Sequence, residues 1–66
     1  MTVTINGQER EVPEEITISE LLDFLNVSSR TVAVELNLEI IEREERSVKK
    51  IKHGDKLEIL QFVGGG

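Results

Sequence analysis

The first residues alternate between apolar and polar positions in a way that predicts a β-hairpin. Valine and isoleucine alternate with threonines over residues 2–5, the period of two expected for a strand with one buried face. Asn6-Gly7 follows, and both residues tolerate the positive φ angles of a type I′ turn. A second strand is expected over residues 8–12, with weak and charged alternation that leaves one edge or face wet. Pro13 should end it, because proline has no N–H to donate to a sheet.

The period then changes to that of a helix. Thr17 and Glu20 have the spacing of a capping box, in which each side chain accepts a hydrogen bond from the other residue's backbone N–H. Ile16 lies where a hydrophobic staple begins. The apolar stripe follows the i, i+3, i+4, i+7 rule and consists of Ile18, Leu21, Leu22 and Leu25, with Phe24 to one side. Asn26 is a suitable left-handed terminator, so the helix should cover about residues 18–25.

Three further strands are predicted in the second half of the chain. They cover residues 32–36, 39–41 and 56–63, and the charged segment at residues 42–50 should form a loop or one helical turn. The helix stripe can cover one face of a mixed sheet, which makes the fold class α+β. We expect a β-grasp roll of four to five strands with one main helix on one face. The first and last strands should pair in parallel at its centre.

Composition excludes several classes of function. The chain has 66 residues, enough for one small domain, and it contains no cysteine, so it has no disulfide, thiolate metal site or thiol nucleophile. The net charge of −5 and an aromatic fraction of 3% disfavour a nucleic-acid binder, which needs excess basic residues and stacking surfaces. No apolar stretch is long enough to span a membrane, and the start of the chain lacks the features of a signal peptide. We therefore expect a cytoplasmic protein that is a monomer when free.

Charge is spread unevenly along the chain. Residues 1–42 hold two basic and nine acidic side chains, whereas residues 43–56 hold six basic and three acidic ones. The basic stretch could dock on an acidic partner surface. We favour the simpler interpretation, that it is a solvated connection.

The last predicted strand departs from simple alternation and suggests a docking patch. If Leu57 and Ile59 point to the helix, Leu60 and Phe62 point away from it towards solvent. A pair of exposed apolar side chains beside a flexible tail is typical of an interaction surface. The alternative is that another part of the chain covers them. We prefer docking, and we include Val63 in the candidate surface.

The sequence ends in three glycines, Gly64, Gly65 and Gly66. Glycines do not pack and are entropically costly to order, so we predict a folded domain over residues 1–63 and a flexible tail over 64–66. Three extended residues span roughly 10 Å, enough for an enzyme to draw an unshielded terminal carboxylate into a narrow channel. A disordered end or a cloning remnant is the alternative.

Other candidate sites are weaker. His53 has no second histidine or cysteine beside it, so we expect a solvated side chain and no metal site. The acidic groups at residues 14–15 and 42–45 should be solvated, since nothing predicts a cleft that would shift their pKa values. No nucleophile–base arrangement or phosphate-binding loop is present, so we expect neither an enzyme nor a bound cofactor.

The chain resembles the ThiS-type sulfur carriers of thiamine biosynthesis, which are small ubiquitin-like proteins. The resemblance spans the whole chain and is strongest at the ending Phe62-Val63-Gly64-Gly65-Gly66. The weaker motifs are Ile5-Asn6-Gly7, Thr17 to Leu22, Val32 to Asn37, Ile40 to Arg43 and Gly54-Asp55. The sequence departs from many relatives in having Glu42 where they have proline, and in lacking an aromatic residue after Arg43. Both departures concern loop packing, and they loosen the assignment to thiamine.

The resemblance implies a specific chemistry at Gly66. In the family, a ThiF-like adenylating enzyme uses ATP and magnesium to convert the terminal carboxylate into an acyl adenylate. A persulfide sulfur supplied through a cysteine desulfurase then displaces AMP, and the resulting thiocarboxylate delivers sulfur to thiazole synthase (ThiG). Gly66 would carry the sulfur, and Gly64 and Gly65 would lie in the enzyme's tunnel. Rival functions are sulfur delivery to molybdopterin, tRNA or an amino acid, a ubiquitin-like protein modifier, and a binding module with an inert tail.

Overall fold

The computed structural model describes residues 1–62, and its elements follow the predicted order. The strands are β1 (Thr2–Ile5), β2 (Gln8–Glu11), β3 (Val32–Leu36), β4 (Glu39–Ile41) and β5 (Lys56–Gln61), and the helix is α1 (Ile18–Phe24). They form a five-stranded sheet in the order β2-β1-β5-β3-β4. Strands β1 and β5 pair in parallel and the other neighbours are antiparallel. The predicted α+β fold with a central parallel pair is therefore confirmed.

The β1–β2 hairpin turns where the sequence predicts it. Asn6 and Gly7 have φ angles of 50° and 82°, as a type I′ turn requires. Strand β2 is exposed along its whole length, as expected from its charged pattern. It ends at Glu11, one residue before the predicted end, and the buried Val12 still exchanges backbone hydrogen bonds of 2.8 Å with Met1 in both directions.

Helix α1 begins with the predicted capping box. Glu20 N–H donates to Thr17 Oγ1 at 3.1 Å, and Thr17 N–H donates to Glu20 Oε1 at 2.8 Å. The helix ends at Phe24, and Asn26 adopts the predicted left-handed conformation with φ 62°. Its buried stripe, formed by Ile18, Leu21 and Leu22, has no exposed surface, and each side chain contributes about 2 kcal/mol to folding by burial.

The core lies between α1 and one face of the sheet. Its strand residues alternate with half-buried or exposed ones, as the period of two predicts. They are Val3, Ile5, Val32, Val34, Leu36, Ile41 and Leu57, joined by Val12 and Ile51 from loops. The opposite face, which we call the outer face, carries the strand side chains that point away from the core, such as Glu35, Glu58 and Leu60.

Two short 3₁₀ turns complete the described residues. The turn at Arg43–Glu45 agrees with the single helical turn expected within residues 42–50, and the turn at Ser29–Thr31 was not predicted. The interpretation of residues 43–56 as a solvated connection is wrong at Arg46, which is only 5% exposed. Its guanidinium donates to the backbone oxygens of Ser29 and Val32. These acceptors are distant in the sequence, so the pattern of neighbouring residues does not predict them.

Candidate functional site

Strand β5 presents the apolar pair that the sequence predicts. Leu57 is 1% exposed and Ile59 packs partly against the core, whereas Leu60 and Phe62 are 51% and 57% exposed. These two side chains lie on the opposite side of β5 from the core-facing ones. Within residues 1–62 no segment buries them, so the predicted exposure is confirmed. Their docking role stays a prediction.

The end of β5 is held from both sides. Phe62 N–H donates to the Thr31 carbonyl at 2.8 Å, and Gln61 Nε2 donates to Thr31 Oγ1 at 2.9 Å. On the β1 side, the Asn6 side chain accepts from Ile59 N–H at 2.7 Å and donates to the Ile59 carbonyl at 3.1 Å. An amide side chain therefore continues the sheet pairing where the β1 backbone turns away. The segment that leads to the glycines starts from a firmly anchored strand.

Four of the predicted site residues cannot be placed. Val63, Gly64, Gly65 and Gly66 lie outside the described residues. The predicted boundary between a domain at residues 1–63 and a tail at 64–66 is likewise untested. Their roles in docking, threading and sulfur carriage remain predictions.

Two further exposed apolar side chains, which the sequence did not single out, lie in β4 and in the turn before it. Leu38, in the β3–β4 turn, is 91% exposed, and Ile40 on β4 is 70% exposed. In a strand of three residues the alternation is too short to show which side chain faces the core. The available signal was the pair Ile40-Ile41, since neighbouring strand residues point to opposite faces.

The sites that sequence analysis set aside agree with their expected exposure. His53 is exposed, and its Nδ1 accepts a hydrogen bond from Thr2 N–H at 3.1 Å, which uses one ring nitrogen in the fold. Glu14, Glu15 and the glutamates within residues 42–45 are exposed. Residues 1–62 contain no group of three or more side chains placed to hold a metal ion.

The helix described here is also too short to cross a membrane. What residues 1–62 offer is a surface for binding another protein, formed by the exposed apolar side chains at the anchored end of β5.

Known proteins are similar to this chain in sequence and in fold. The model of the ThiS family matches residues 3–66. The sulfur carrier protein ThiS of Bacillus subtilis is 35% identical over 63 residues, covering 94% of this chain and 96% of that protein. A thiazole synthase of Paramagnetospirillum magneticum is 47% identical over 66 residues, and this chain spans only 20% of its length.

A solved structure gives the same result. The crystal structure of the thiamine biosynthesis protein ThiS from Geobacter metallireducens matches with a TM-score of 0.87 and 42% identity, covering all of both chains. The family match includes the three glycines, and the structural match includes the five-stranded sheet and helix. The chain therefore belongs to the ThiS family.

Proposed function

We propose that the protein carries sulfur on the carboxyl group of Gly66 and delivers it for thiazole formation in thiamine biosynthesis. The family match through residue 66 is the observation that carries this proposal. The alignment with the sulfur carrier protein ThiS of Escherichia coli supports it, since it covers all 66 residues and the whole of that protein, at 27% identity. The absence of cysteine from the sequence leaves no side-chain thiol to bear the sulfur.

The proposed reaction begins at the carboxylate. A carboxylate oxygen of Gly66 attacks the α-phosphorus of ATP on a ThiF-like adenylating enzyme, and magnesium pyrophosphate leaves. The terminal sulfur of a persulfide, supplied through a cysteine desulfurase, then attacks the acyl carbon and AMP leaves. A thiol reduces the resulting S–S bond, which frees the thiocarboxylate on Gly66. The chain is then a cosubstrate of its partner enzymes, and it binds no cofactor of its own.

Docking in this proposal uses Leu60, Phe62 and Val63. Two of them are exposed on the anchored end of β5, immediately before the glycines. Apolar contact there would hold the folded body outside the enzyme, while Gly64 and Gly65, which lack side chains, pass through a narrow channel. Thiazole synthase (ThiG) would receive the sulfur. This destination is supported by the relative with 47% identity, which is itself named a thiazole synthase.

Mass spectrometry tests the proposal. Incubation with the adenylating enzyme of the same organism, ATP, magnesium and a sulfur donor should replace one oxygen of the chain by sulfur. A chain lacking Gly66 is the control and should keep its mass. Isopeptide-linked products on a denaturing gel would instead support a protein modifier. An unchanged mass with an adenylating enzyme that is folded and binds ATP would contradict the proposal.

A further inference from the structure

Two carboxylates face each other at the centre of the outer face. Glu35 on β3 lies directly opposite Glu58 on β5, and Ile40 on β4 lies opposite Glu35 on the other side. These three side chains form one row across three strands, and we call its two glutamates, Glu35 and Glu58, the acidic row. Directly opposite side chains have Cβ atoms about 5 Å apart, so Glu35 and Glu58 are nearest neighbours across the two strands.

This pairing does not help the fold. Like charges directly opposite each other destabilise a sheet. Among residues 1–62, neither Glu35 nor Glu58 takes part in a salt bridge, and Lys56 lies two residues along β5 from Glu58. The sequence therefore keeps a repulsive pair at the middle of an open sheet face.

Leu38 is another residue whose placement does not favour the fold. Its φ of 73° is in the left-handed region, which is unfavourable for a leucine, and its side chain is 91% exposed. Glycine would suit this turn position better, as in the Asn6-Gly7 turn. Ile40 beside Glu35, Leu60 two residues along β5 from Glu58, and Leu38 in the β3–β4 turn are exposed apolar side chains near the acidic row, and we call these three its apolar surround.

We propose that the acidic row and its apolar surround dock on a basic-rimmed apolar surface of thiazole synthase. This rests on the proposed function, which makes that enzyme the sulfur acceptor. The partner's arginines or lysines would neutralise Glu35 and Glu58, while Leu38, Ile40 and Leu60 make the apolar contacts. The outer face is the one that α1 leaves open, and it is continuous with the docking residues that precede the glycines.

The acidic row is tested by comparing two double variants that each lose two negative charges, so that their net charges are equal. The variant Glu35→Gln/Glu58→Gln is compared with Glu14→Gln/Glu44→Gln, whose glutamates are exposed and lie outside the sheet. Calorimetry measures the affinity of the full-length carrier, without sulfur on Gly66, for thiazole synthase of the same organism. The measurement is repeated across salt concentrations. We expect the first variant to bind about tenfold more weakly, with a smaller salt dependence than the wild type. Its urea midpoint should rise, because the repulsion is gone.

The control variant should bind almost as the wild type does. Equal affinity and equal salt dependence of the two variants would overturn the proposal. If the wild type does not bind thiazole synthase, both the acceptor assignment and this surface fail, whereas sulfur loading on Gly66 is tested separately by mass.

Leu38 provides a second variant with an independent readout. Leu38→Gly removes the exposed side chain and relieves the unfavourable φ, so the fold should become no less stable. Affinity for thiazole synthase should nevertheless fall several-fold, because an apolar contact is lost. A stable Leu38→Gly variant with wild-type affinity would exclude the turn from the docking surface.

Discussion

Arg46 Nη2 donates a hydrogen bond to the Val32 carbonyl at 2.8 Å, in a position where the arginine is only 5% exposed. Its Nη1 donates to the Ser29 carbonyl at 2.7 Å and to the Ser29 hydroxyl at 3.2 Å. One guanidinium thus fastens the segment after β4 to the start of β3. Its Nε has no hydrogen-bond partner among residues 1–62.

Replacing this arginine should destabilise the fold. Arg46→Met removes the donors to the buried Val32 carbonyl and to the half-buried Ser29 carbonyl and hydroxyl, and we expect a loss of about 2 kcal/mol in the free energy of unfolding. The control is Arg43→Met, whose exposed guanidinium makes one long bond of 3.4 Å to the Arg30 carbonyl. That change should stay within about 0.5 kcal/mol. Urea midpoints measure both, and equal midpoints for the two variants would contradict the role of Arg46.

The loss in the free energy of unfolding caused by Arg46→Met should not depend on pH near neutrality. Burial, with a smaller contribution from Arg43, lowers the pKa of Arg46 below its usual value. The folded state then binds fewer protons than the unfolded state only between the two pKa values, so stability rises with pH only in that alkaline window. Between about pH 6 and pH 8 arginine is charged in both states, and the stability difference between wild type and Arg46→Met should be constant.

The Asn6 side chain should stabilise the sheet beyond its role in the turn. Asn6→Gly keeps the positive φ but removes both hydrogen bonds to Ile59, so we expect a loss of about 1.5 kcal/mol. Asn26→Gly is the matched control, because Asn26 also has a positive φ of 62°. Its described contacts include no side-chain hydrogen bond, and its stability should change little. Similar losses for both variants in urea unfolding would show that the bonds to Ile59 contribute nothing.

Local patterns predicted most of the fold. Thr17 and Glu20 are three residues apart, and Asn6-Gly7 are adjacent, so their geometry is encoded within one turn of chain. The burial of Arg46 could not be predicted in this way. Its acceptors on Ser29 and Val32 lie 17 and 14 residues earlier, and only the folded sheet brings them within reach.

The candidate site was predictable in part for the same reason. The exposure of Leu60 and Phe62 follows from the period of two along β5. The opposition of Glu35 and Glu58 depends on the register between β3 and β5, which no local pattern specifies.

Phe62 should contribute to partner binding and little to stability. Phe62→Ala removes a side chain that is 57% exposed, so the urea midpoint should change little. Affinity for the adenylating enzyme should fall by about tenfold, as expected for an aromatic residue at the centre of an interface. Phe24→Ala is the control, because Phe24 is 53% exposed but lies on α1. Equal affinities of the two variants in a titration would remove Phe62 from the docking surface.

The central claim, sulfur on the carboxyl group of Gly66, is tested most directly by the mass of the C-terminal tryptic peptide. Cleavage after Lys56 releases residues 57–66, which contain Gly66 and no methionine, whereas Met1, whose oxidation gives a nearly equal mass gain, falls in residues 1–10. After incubation with the adenylating enzyme, ATP, magnesium and a sulfur donor, peptide 57–66 should gain the sulfur–oxygen mass difference at Gly66. The gain should require ATP. An unchanged peptide 57–66, with the gain absent or confined to residues 1–10, would show that Gly66 does not carry the sulfur.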